Sequence, residues 1–253
     1  MEFINAKVEG GLGTITLNRT PLNILNIKMM NEINDTLKDW IEDRDLKVVL
    51  FNANGRCFSS GVDVEEHMGD LVSKMIESFH GMFRLMDSLG AVTVSSVYGS
   101  CLGGGCELSI FCDLVIADDT AKFGQPEIQL GVLPPIAVQI MPRIIGRKAA
   151  MDLILSGRII SAKEAMAMGL INKVVAKGDL DEETDRFIKP YLSLSAEVIR
   201  VTKKAIKAGL IDDLEPSLKI IEDIYLNELM RTADAQEGLQ AFLERRSPEW
   251  KNC

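Results

Sequence analysis

The 253-residue chain has few of the residues that mark metal-binding and disulfide-rich proteins. Its five cysteines show neither CxxC spacing nor the even number of a disulfide framework, so we expect reduced thiols. The two histidines, His67 and His80, lie in helical stretches without the HExxH spacing of a zinc site. We therefore expect both histidines to be solvated helix residues, and we expect no metal site.

Long apolar runs and an excess of basic residues are also missing. No apolar stretch reaches the roughly 18 residues of a membrane span, and the start MEFINAKVEG lacks the basic and then apolar order of a signal peptide. Lys and Arg number 28 against 37 Asp and Glu, for a net charge of −9, which disfavours a nucleic-acid partner. We expect a cytoplasmic protein with neither a membrane nor a nucleic-acid partner.

The most glycine-rich segment lacks the usual nucleotide motifs, since Gly103–Gly105 is not followed by Gly-Lys-Ser/Thr and does not read GxGxxG. Before the three glycines come a β-prone run, Val92–Val97, and a turn at Gly99; an apolar helical run that carries Glu107 follows. Glycines at a helix start leave backbone N–H groups open, and the helix dipole favours negative charge there. This pattern predicts an oxyanion site, with tight helix packing as the alternative reason for the glycines.

Two carboxylates are candidates for chemistry. Glu107 has the apolar neighbours Leu108, Ile110 and Phe111, and a carboxylate in such surroundings is usually paired or functional, with a pKa open to upward adjustment. Glu127 directly follows a proline in FGQPEIQLGVLPP, which predicts a carboxylate on a rigid turn. Cys106 could act as a nucleophile, but buried cysteines mostly pack and no suitable histidine accompanies it.

The loop FSSGVD, residues 58–63, follows a predicted buried strand, Val48–Phe51. It puts the flexible Gly61 beside small residues at the end of that strand, where backbone N–H groups can face a ligand in an open α/β sheet. The alternative interpretation is a surface turn.

The hydrophobic pattern predicts strands alternating with helices, and therefore an α/β protein. The first predicted element is a hairpin, and the last predicted strand is Asn172–Val175. Between them the sequence predicts a helix at Leu71–Leu89 and a capping box at Ser161–Glu164. From Leu192 the pattern is helical, with an interruption near Gly209–Pro216. We predict a core over residues 1–191 and a helical region over residues 192–253, which could form a lid or an oligomer interface.

Taken together, these motifs resemble the crotonase, or enoyl-CoA hydratase/isomerase, superfamily over essentially the whole chain. The matching segments are NRTPLNIL, FSSGVD, GSCLGGGCELSIFCD, AKFGQPEIQLGVLP, GRKAAMDLILSGRIISAKEAMAMGLINKVV and EGLQAFLERRSPEW. The resemblance implies a spiral of ββα units followed by C-terminal helices that build trimers, often stacked into hexamers. It also implies a coenzyme A thioester as substrate, so that coenzyme A enters as part of the substrate and no separate cofactor is expected.

The resemblance also implies roles for individual residues. The backbone N–H groups of Val62 and Gly104 match those that bind the thioester oxygen, and Glu107 and Glu127 match the two glutamates that hold and activate water. The coenzyme A path would be lined by Ser60, Gly61, Val62 and Asp63, and its adenine or phosphate end would meet Phe242 and Arg245 of a neighbouring subunit.

The chain departs from the family after the second glutamate. Simple enoyl-CoA hydratases usually have Pro-Gly-x-Gly-Gly there, where this chain has Pro134-Pro135-Ile136-Ala137-Val138. Glycine would give a helix N-terminus and room beside the acyl group; we expect Pro and Ile to change both and to line the pocket, Pro135 included, with apolar bulk. The variant resembles the alicyclic branch of the superfamily, the hydratases of cyclohexa-1,5-diene-1-carbonyl-CoA.

The resemblance leaves other activities open. An isomerase or a ring-acting acyl-CoA hydrolase could use the same oxyanion pocket. A non-catalytic acyl-CoA-binding or RNA-binding scaffold is disfavoured, because both glutamates are present and the chain is acidic.

Overall fold

The computed structural model of the protein describes residues 1–210, 220 and 223–253. The strands are β1 (Ile4–Glu9), β2 (Leu12–Leu17), β3 (Val48–Ala53), β4 (Val92–Val97), β5 (Ser100–Leu102), β6 (Leu114–Asp118), β7 (Lys122–Gly124), β8 (Ile159–Ser161) and β9 (Lys173–Val175). The α-helices are α1 (Ile27–Ile41), α2 (Leu71–Ser88), α3 (Gly104–Phe111), α4 (Ala137–Ile144), α5 (Arg147–Ser156), α6 (Ala162–Ala167), α7 (Leu180–Leu192), α8 (Ala196–Gly209) and α9 (Ala233–Glu244). Shorter helical turns are the 3₁₀ turns Val64–His67, Pro126–Leu130 and Leu229–Arg231 and the π-helical turn Ile224–Glu228.

The strands form two sheets. The larger sheet has the order β1-β2-β3-β4-β6-β9, in which β1 and β2 form the antiparallel hairpin expected from the sequence and every later pair is parallel. The smaller sheet has the order β5-β7-β8. The chain enters the small sheet directly after the large one twice, from β4 to β5 and from β6 to β7, and a helix or a helical turn follows each time.

Side chains alternate between the two faces of the large sheet, because successive strand residues point to opposite sides. On β3, Val49 and Phe51 join the main core with helices α1, α2 and α3, while Val48 and Leu50 join a smaller cluster with Ile188 of α7. Both faces of the parallel strands are thus covered, as is usual for parallel sheets. This double cover explains the continuous apolar run Val48–Phe51.

The described helices include several features expected from the sequence. The helical run after Ala137 does break at Gly146, between α4 and α5, and the Ser161 side chain accepts a hydrogen bond from the Glu164 N–H at 3.2 Å, as a capping box requires. Helix α7 was not expected, because its apolar positions alternate with acidic residues and Pro190 lies inside it. Part of the predicted interruption near Gly209–Pro216 lies outside the described residues.

No helix in the described part of the chain is both long enough and apolar enough to cross a membrane. All five cysteines are free; Cys57, Cys101, Cys106 and Cys112 are buried and Cys253 is exposed.

Candidate active site

A cavity of about 920 Å³ opens where the loop after β3, the start of α3 and the Pro126–Leu130 turn meet. We call one group of its lining residues the polar wall, which consists of Gly61, Val62, Gly103, Gly104, Glu107 and Glu127. A second group, which we call the apolar wall, consists of Val64, Met68, Val72, Ile128, Leu130, Val132, Leu133 and Pro135. The structure thus brings together both predicted glutamates and both predicted donor residues in one cavity.

The Val62 N–H is aimed by the hydrogen bonds of its neighbours. The Leu25 N–H donates to the Gly61 carbonyl at 2.8 Å, and the Asp63 N–H donates to the Leu25 carbonyl at 2.8 Å. In a trans peptide the carbonyl and the N–H point in opposite directions, so the Val62 N–H points away from Leu25. Because Val62 lines the cavity, and no described residue accepts a hydrogen bond from its N–H, this group is open to a ligand.

The Gly104 N–H is aimed in the same way at the first turn of α3. The Glu107 N–H donates to the Gly103 carbonyl at 2.9 Å, which turns that carbonyl along the helix. The N–H of the same peptide unit, that of Gly104, therefore points out of the helix N-terminus, where the helix dipole favours negative charge. No acceptor for it occurs among the described residues.

Glycine is required at positions 61 and 103, because the backbone there has a positive φ and because Glu127 lies close to Gly103. Gly61 has a φ of +117° and Gly103 a φ of +52°, which L residues rarely adopt. A Cβ atom at Gly103 would also lie 2.7 Å from Glu127 Oε1. The glycine-rich turn is therefore more than a packing device, because it lets a carboxylate approach the backbone beside the Gly104 amide.

Glu107 lies in the first turn of α3 and is 1% exposed. Its Oε1 accepts hydrogen bonds from the Ile136 N–H at 2.7 Å and the Ala137 N–H at 2.8 Å, at the N-terminus of α4. Burial raises the pKa of Glu107 to about 8, the nearby charge of Glu127 raises it too, and these two N–H donors oppose the rise. The carboxyl is thus held in place through one oxygen, while Oε2 is left for a ligand.

Glu127 is held differently, on the 3₁₀ turn that begins at Pro126. The turn is closed by Gly131 and by a hydrogen bond from the Val132 N–H to the Glu127 carbonyl at 3.2 Å. The Oε2 atom of Glu127 is buried and has no partner among the described residues, and burial raises the pKa of Glu127 to about 7. A buried carboxyl oxygen without a partner costs free energy, which suits a group whose partner is a reactant.

The segment Pro134–Val138 differs in part from the expectation. A helix N-terminus is still present, since α4 begins at Ala137 and its first N–H groups bind Glu107. Of these five residues, all of them described, Pro135 alone lines the cavity, while Ile136 packs in the core at 8% exposure. The expected change is therefore limited to Pro135 at the cavity, because a helix N-terminus depends on backbone N–H groups that Ile and Ala also have.

The two histidines are less solvated than the sequence suggested. His67 is half-buried and lines the cavity, and its Nδ1 lies 2.9 Å from the Asp63 carbonyl oxygen. Because a carbonyl can only accept, Nδ1 carries the proton and Nε2 is left as an acceptor in the neutral ring. His80 is half-buried beside Phe79, and burial lowers its pKa. Neither residue is an ordinary solvated helix residue.

The other predicted residues lie in different places. Ser60 lines the cavity, whereas the Asp63 side chain caps the Val64–His67 turn and pairs with Arg19 at 3.3 Å. Arg245 is exposed at the end of α9, with a φ of +57°. The backbone of Phe242 belongs to α9, but its side chain lies outside what the structure describes. The contact of Phe242 and Arg245 with a neighbouring subunit remains a prediction.

Sequence reasoning missed the backbone N–H groups of Ile136 and Ala137 as ligands of Glu107. Because every residue except proline has a backbone N–H, the residue type does not show which N–H group is a ligand. The proline pair just before a helical run was nevertheless an available sign of a helix start.

Several known proteins resemble this chain in sequence and in fold. The Enoyl-CoA hydratase/isomerase family matches residues 7–253. A protein of Mycobacterium bovis named "Probable enoyl-CoA hydratase echA8" is 37% identical over 98% of each chain. The cyclohexa-1,5-dienecarbonyl-CoA hydratase of Thauera aromatica is 37% identical over 96% of this chain and 94% of its own. Among solved structures, an enoyl-CoA hydratase from Bacillus anthracis superposes with a TM-score of 0.94 at 31% identity, over 100% of both chains.

The chain belongs to the enoyl-CoA hydratase/isomerase family and has the crotonase fold. It is an enzyme of the enoyl-CoA hydratase type. The family resemblance and the fold class predicted from the sequence are thereby confirmed.

Proposed function

We propose that this enzyme adds water to an α,β-unsaturated acyl-CoA, or removes it in the reverse direction. One observation supports the proposal above the others. Two carboxyl groups with raised pKa values share a cavity with two backbone N–H groups that have no described acceptor. Hydration needs all four groups, because a base, an acid and an oxyanion site must act on one substrate.

The proposed reaction follows from these groups. The thioester oxygen binds the N–H groups of Val62 and Gly104, and one glutamate takes a proton from water as the water oxygen bonds to the β-carbon. The electron pair of the double bond moves toward the thioester oxygen, where the two amides stabilise the enolate. The other glutamate then gives its proton to the α-carbon, so the atoms of one water molecule are added in total.

The pair of glutamates supports this division of labour. With pKa values of about 8 for Glu107 and about 7 for Glu127, the pair holds roughly one proton near neutral pH. One carboxyl is then a base and the other an acid, and the two exchange roles when the reaction runs backwards.

We further propose that the acyl group is a compact ring such as cyclohexa-1,5-diene-1-carbonyl. The apolar wall supports this, because Pro135, Ile128, Leu130, Val132 and Leu133 present hydrocarbon to the cavity. The similarity to the Thauera hydratase also supports it, although a hydratase without a named ring substrate is equally similar. Discrimination in apolar pockets is modest, so we expect some reaction with linear substrates as well.

The test is incubation with crotonyl-CoA and with cyclohexa-1,5-diene-1-carbonyl-CoA, followed by mass spectrometry. We expect a gain of one water on both, with a larger kcat/KM for the ring. A shift of the double bond without a change of mass would indicate the isomerase instead. No reaction at all would indicate an acyl-CoA-binding scaffold. A larger kcat/KM for crotonyl-CoA would contradict the proposed cyclic acyl group but not the hydratase activity.

We also propose that the enzyme works in the cytoplasm as a trimer or a dimer of trimers. Support comes from the C-terminal helical region, where Ile206 is 62% and Leu210 73% exposed. Apolar side chains this exposed suit a surface that another subunit covers. Removal of residues 233–253 should destroy the assembly and weaken coenzyme A binding together, which light scattering and calorimetry can measure. A fully active monomer would contradict the proposal.

A further inference from the structure

Ser59 belongs to the loop that carries the Val62 amide and contacts the segment that carries the Gly104 amide; it is fully buried at 0% exposure. It does not line the cavity, so it has no contact with a substrate bound there. Val62 comes three residues after Ser59 in the chain. The hydrogen bonds of Ser59 reach both loops.

On the Val62 side, the Ser59 hydroxyl makes two hydrogen bonds. It donates to the Asn23 carbonyl at 2.7 Å and accepts from the Gly61 N–H at 3.3 Å. Asn23 is itself fully buried and donates through Nδ2 to the carbonyls of Asn54 at 2.7 Å and Cys57 at 2.9 Å. The hydroxyl therefore ties the Ser60–Gly61 peptide to a fixed point of the core, and the next peptide is the one that carries the Val62 N–H.

On the Gly104 side, Ser59 makes contact through its backbone and its side chain. The Ser59 N–H donates to the Ser100 carbonyl at 3.0 Å, and the Leu102 N–H donates to the Ser59 carbonyl at 3.0 Å. A Cβ atom at Gly105 would lie 2.5 Å from both Cβ and Oγ of Ser59, so the serine packs directly on the first turn of α3. Ser59 thus contacts both Leu102, two residues before Gly104, and Gly105, the residue after it.

We propose that Ser59 is a positioning residue that fixes the separation of the Val62 and Gly104 amides. The inference rests on the proposed function, because it assumes that both amides bind one oxygen. Two donors stabilise an enolate oxygen only when both are preorganised at hydrogen-bond distance, and one lost donor costs about 10²–10³-fold in kcat in other enzymes. Loss of the Ser59 hydroxyl frees the Gly61 N–H and the Asn23 carbonyl, so the Val62 peptide can shift.

The test uses Ser59→Ala in the full-length protein with two unreactive thioesters. Acetoacetyl-CoA can bind as its enolate, which has its own ultraviolet absorbance, whereas butyryl-CoA binds with a neutral carbonyl. We expect Ser59→Ala to weaken enolate binding about 10-fold more than butyryl-CoA binding. With crotonyl-CoA we expect kcat to fall about 10-fold while KM changes less than about 3-fold, because the lost contact acts in the transition state.

Ser95→Ala is the matched control. Ser95 is also fully buried, and its hydroxyl links β4 to α3 through the Ser109 hydroxyl at 2.8 Å and carbonyl at 3.2 Å. This variant should lose a similar amount of thermal stability without changing the ratio of enolate to butyryl-CoA binding. If Ser59→Ala does not fold, Ser59→Cys fills the site with a slightly larger atom that hydrogen-bonds more weakly, and it is measured in the same way.

If the Ser59 variant loses the same fold of affinity for acetoacetyl-CoA and for butyryl-CoA, the proposal is overturned and Ser59 is a purely structural residue. Wild-type protein that binds acetoacetyl-CoA without enolate absorbance would overturn it too. If the wild type forms the bound enolate but hydrates neither enoyl-CoA, the proposed function fails, while the binding ratio still decides the role of Ser59.

Discussion

The two walls of the cavity are built by opposite means. The polar wall is mostly buried, with Val62 and Glu127 half-buried, and backbone hydrogen bonds aim the Val62 amide and hold Glu107 Oε1. The apolar wall comes from two surface segments, and its side chains are partly in solvent, with Met68 62% and Leu130 64% exposed. The polar wall can therefore hold charged and polar groups in fixed positions, whereas the apolar wall can change its shape with single substitutions.

This difference separates chemistry from substrate choice. An oxyanion site and an acid–base pair need exact geometry, and backbone hydrogen bonds to the neighbouring peptides and to Glu107 supply it. An apolar surface discriminates by contact area, for which one methylene is worth only about 1–3 kcal/mol. Substitutions in the polar wall should therefore abolish the reaction, and substitutions in the apolar wall should redirect it.

The largest effect is expected from the two glutamates. Glu107→Gln and Glu127→Gln should each lower kcat by about 10²–10⁴-fold, because each removes an acid–base group. Binding of a saturated acyl-CoA should change little, since the oxyanion donors are backbone groups. Steady-state kinetics and calorimetry measure the two quantities.

Glu66→Gln is the matched control for these variants. Glu66 is half-buried and burial raises its pKa, but it does not line the cavity and its Oε2 accepts from the Ile27 N–H at 2.7 Å. This variant should keep its full rate. A Glu107 or Glu127 variant with full activity would refute the two-carboxyl mechanism.

The pH dependence of kcat/KM should follow the titration of the two glutamates in the polar wall. With pKa values of about 7 for Glu127 and about 8 for Glu107, kcat/KM should peak between these values. It should fall about 10-fold per pH unit on the acidic side, as the base is protonated, and on the alkaline side, as the acid is lost. Rates measured across pH 5–10 test this. A rate that stays constant over that range would mean that the pair does not carry the protons.

Stability should reveal the strain that the polar wall carries. Glu107 has a folded pKa of about 8 against an ordinary 4.5, so between these pH values the folded state holds a proton that the unfolded chain has lost. The free energy of unfolding should therefore decrease as pH rises through this window, by at most about 1.4 kcal/mol per pH unit for this group. Glu107→Gln should lack this contribution, so its stability relative to wild type should increase from pH 5 to pH 8 in urea unfolding. A difference that does not vary with pH would contradict the raised pKa.

The sequence predicted the polar wall better than the apolar wall, for a physical reason. Three glycines before Glu107 and a proline before Glu127 are local signals, because special backbone shapes need special residues. The cavity position of His67 and the core position of Ile136 depend on how distant segments meet. Apolar side chains look alike in a sequence whether they line a cavity or fill a core, and helix α7 was missed because its buried face is short and mixed with charges.

The smallest effect is expected from Pro135, in the apolar wall. Pro135→Gly removes ring carbons from the cavity, and it should lower the ratio of kcat/KM for the cyclic dienoyl-CoA to that for crotonyl-CoA by about 10-fold, the low end for one lost apolar contact. Pro134→Gly is the control, since Pro134 is buried in the same loop, does not line the cavity and should leave the ratio unchanged. If both variants lower the ratio equally, loop stiffness sets the preference and the Pro135 surface does not. If neither variant changes the ratio, Pro135 does not determine substrate choice. The residues Ile128–Leu133 of the apolar wall would then be the next to substitute.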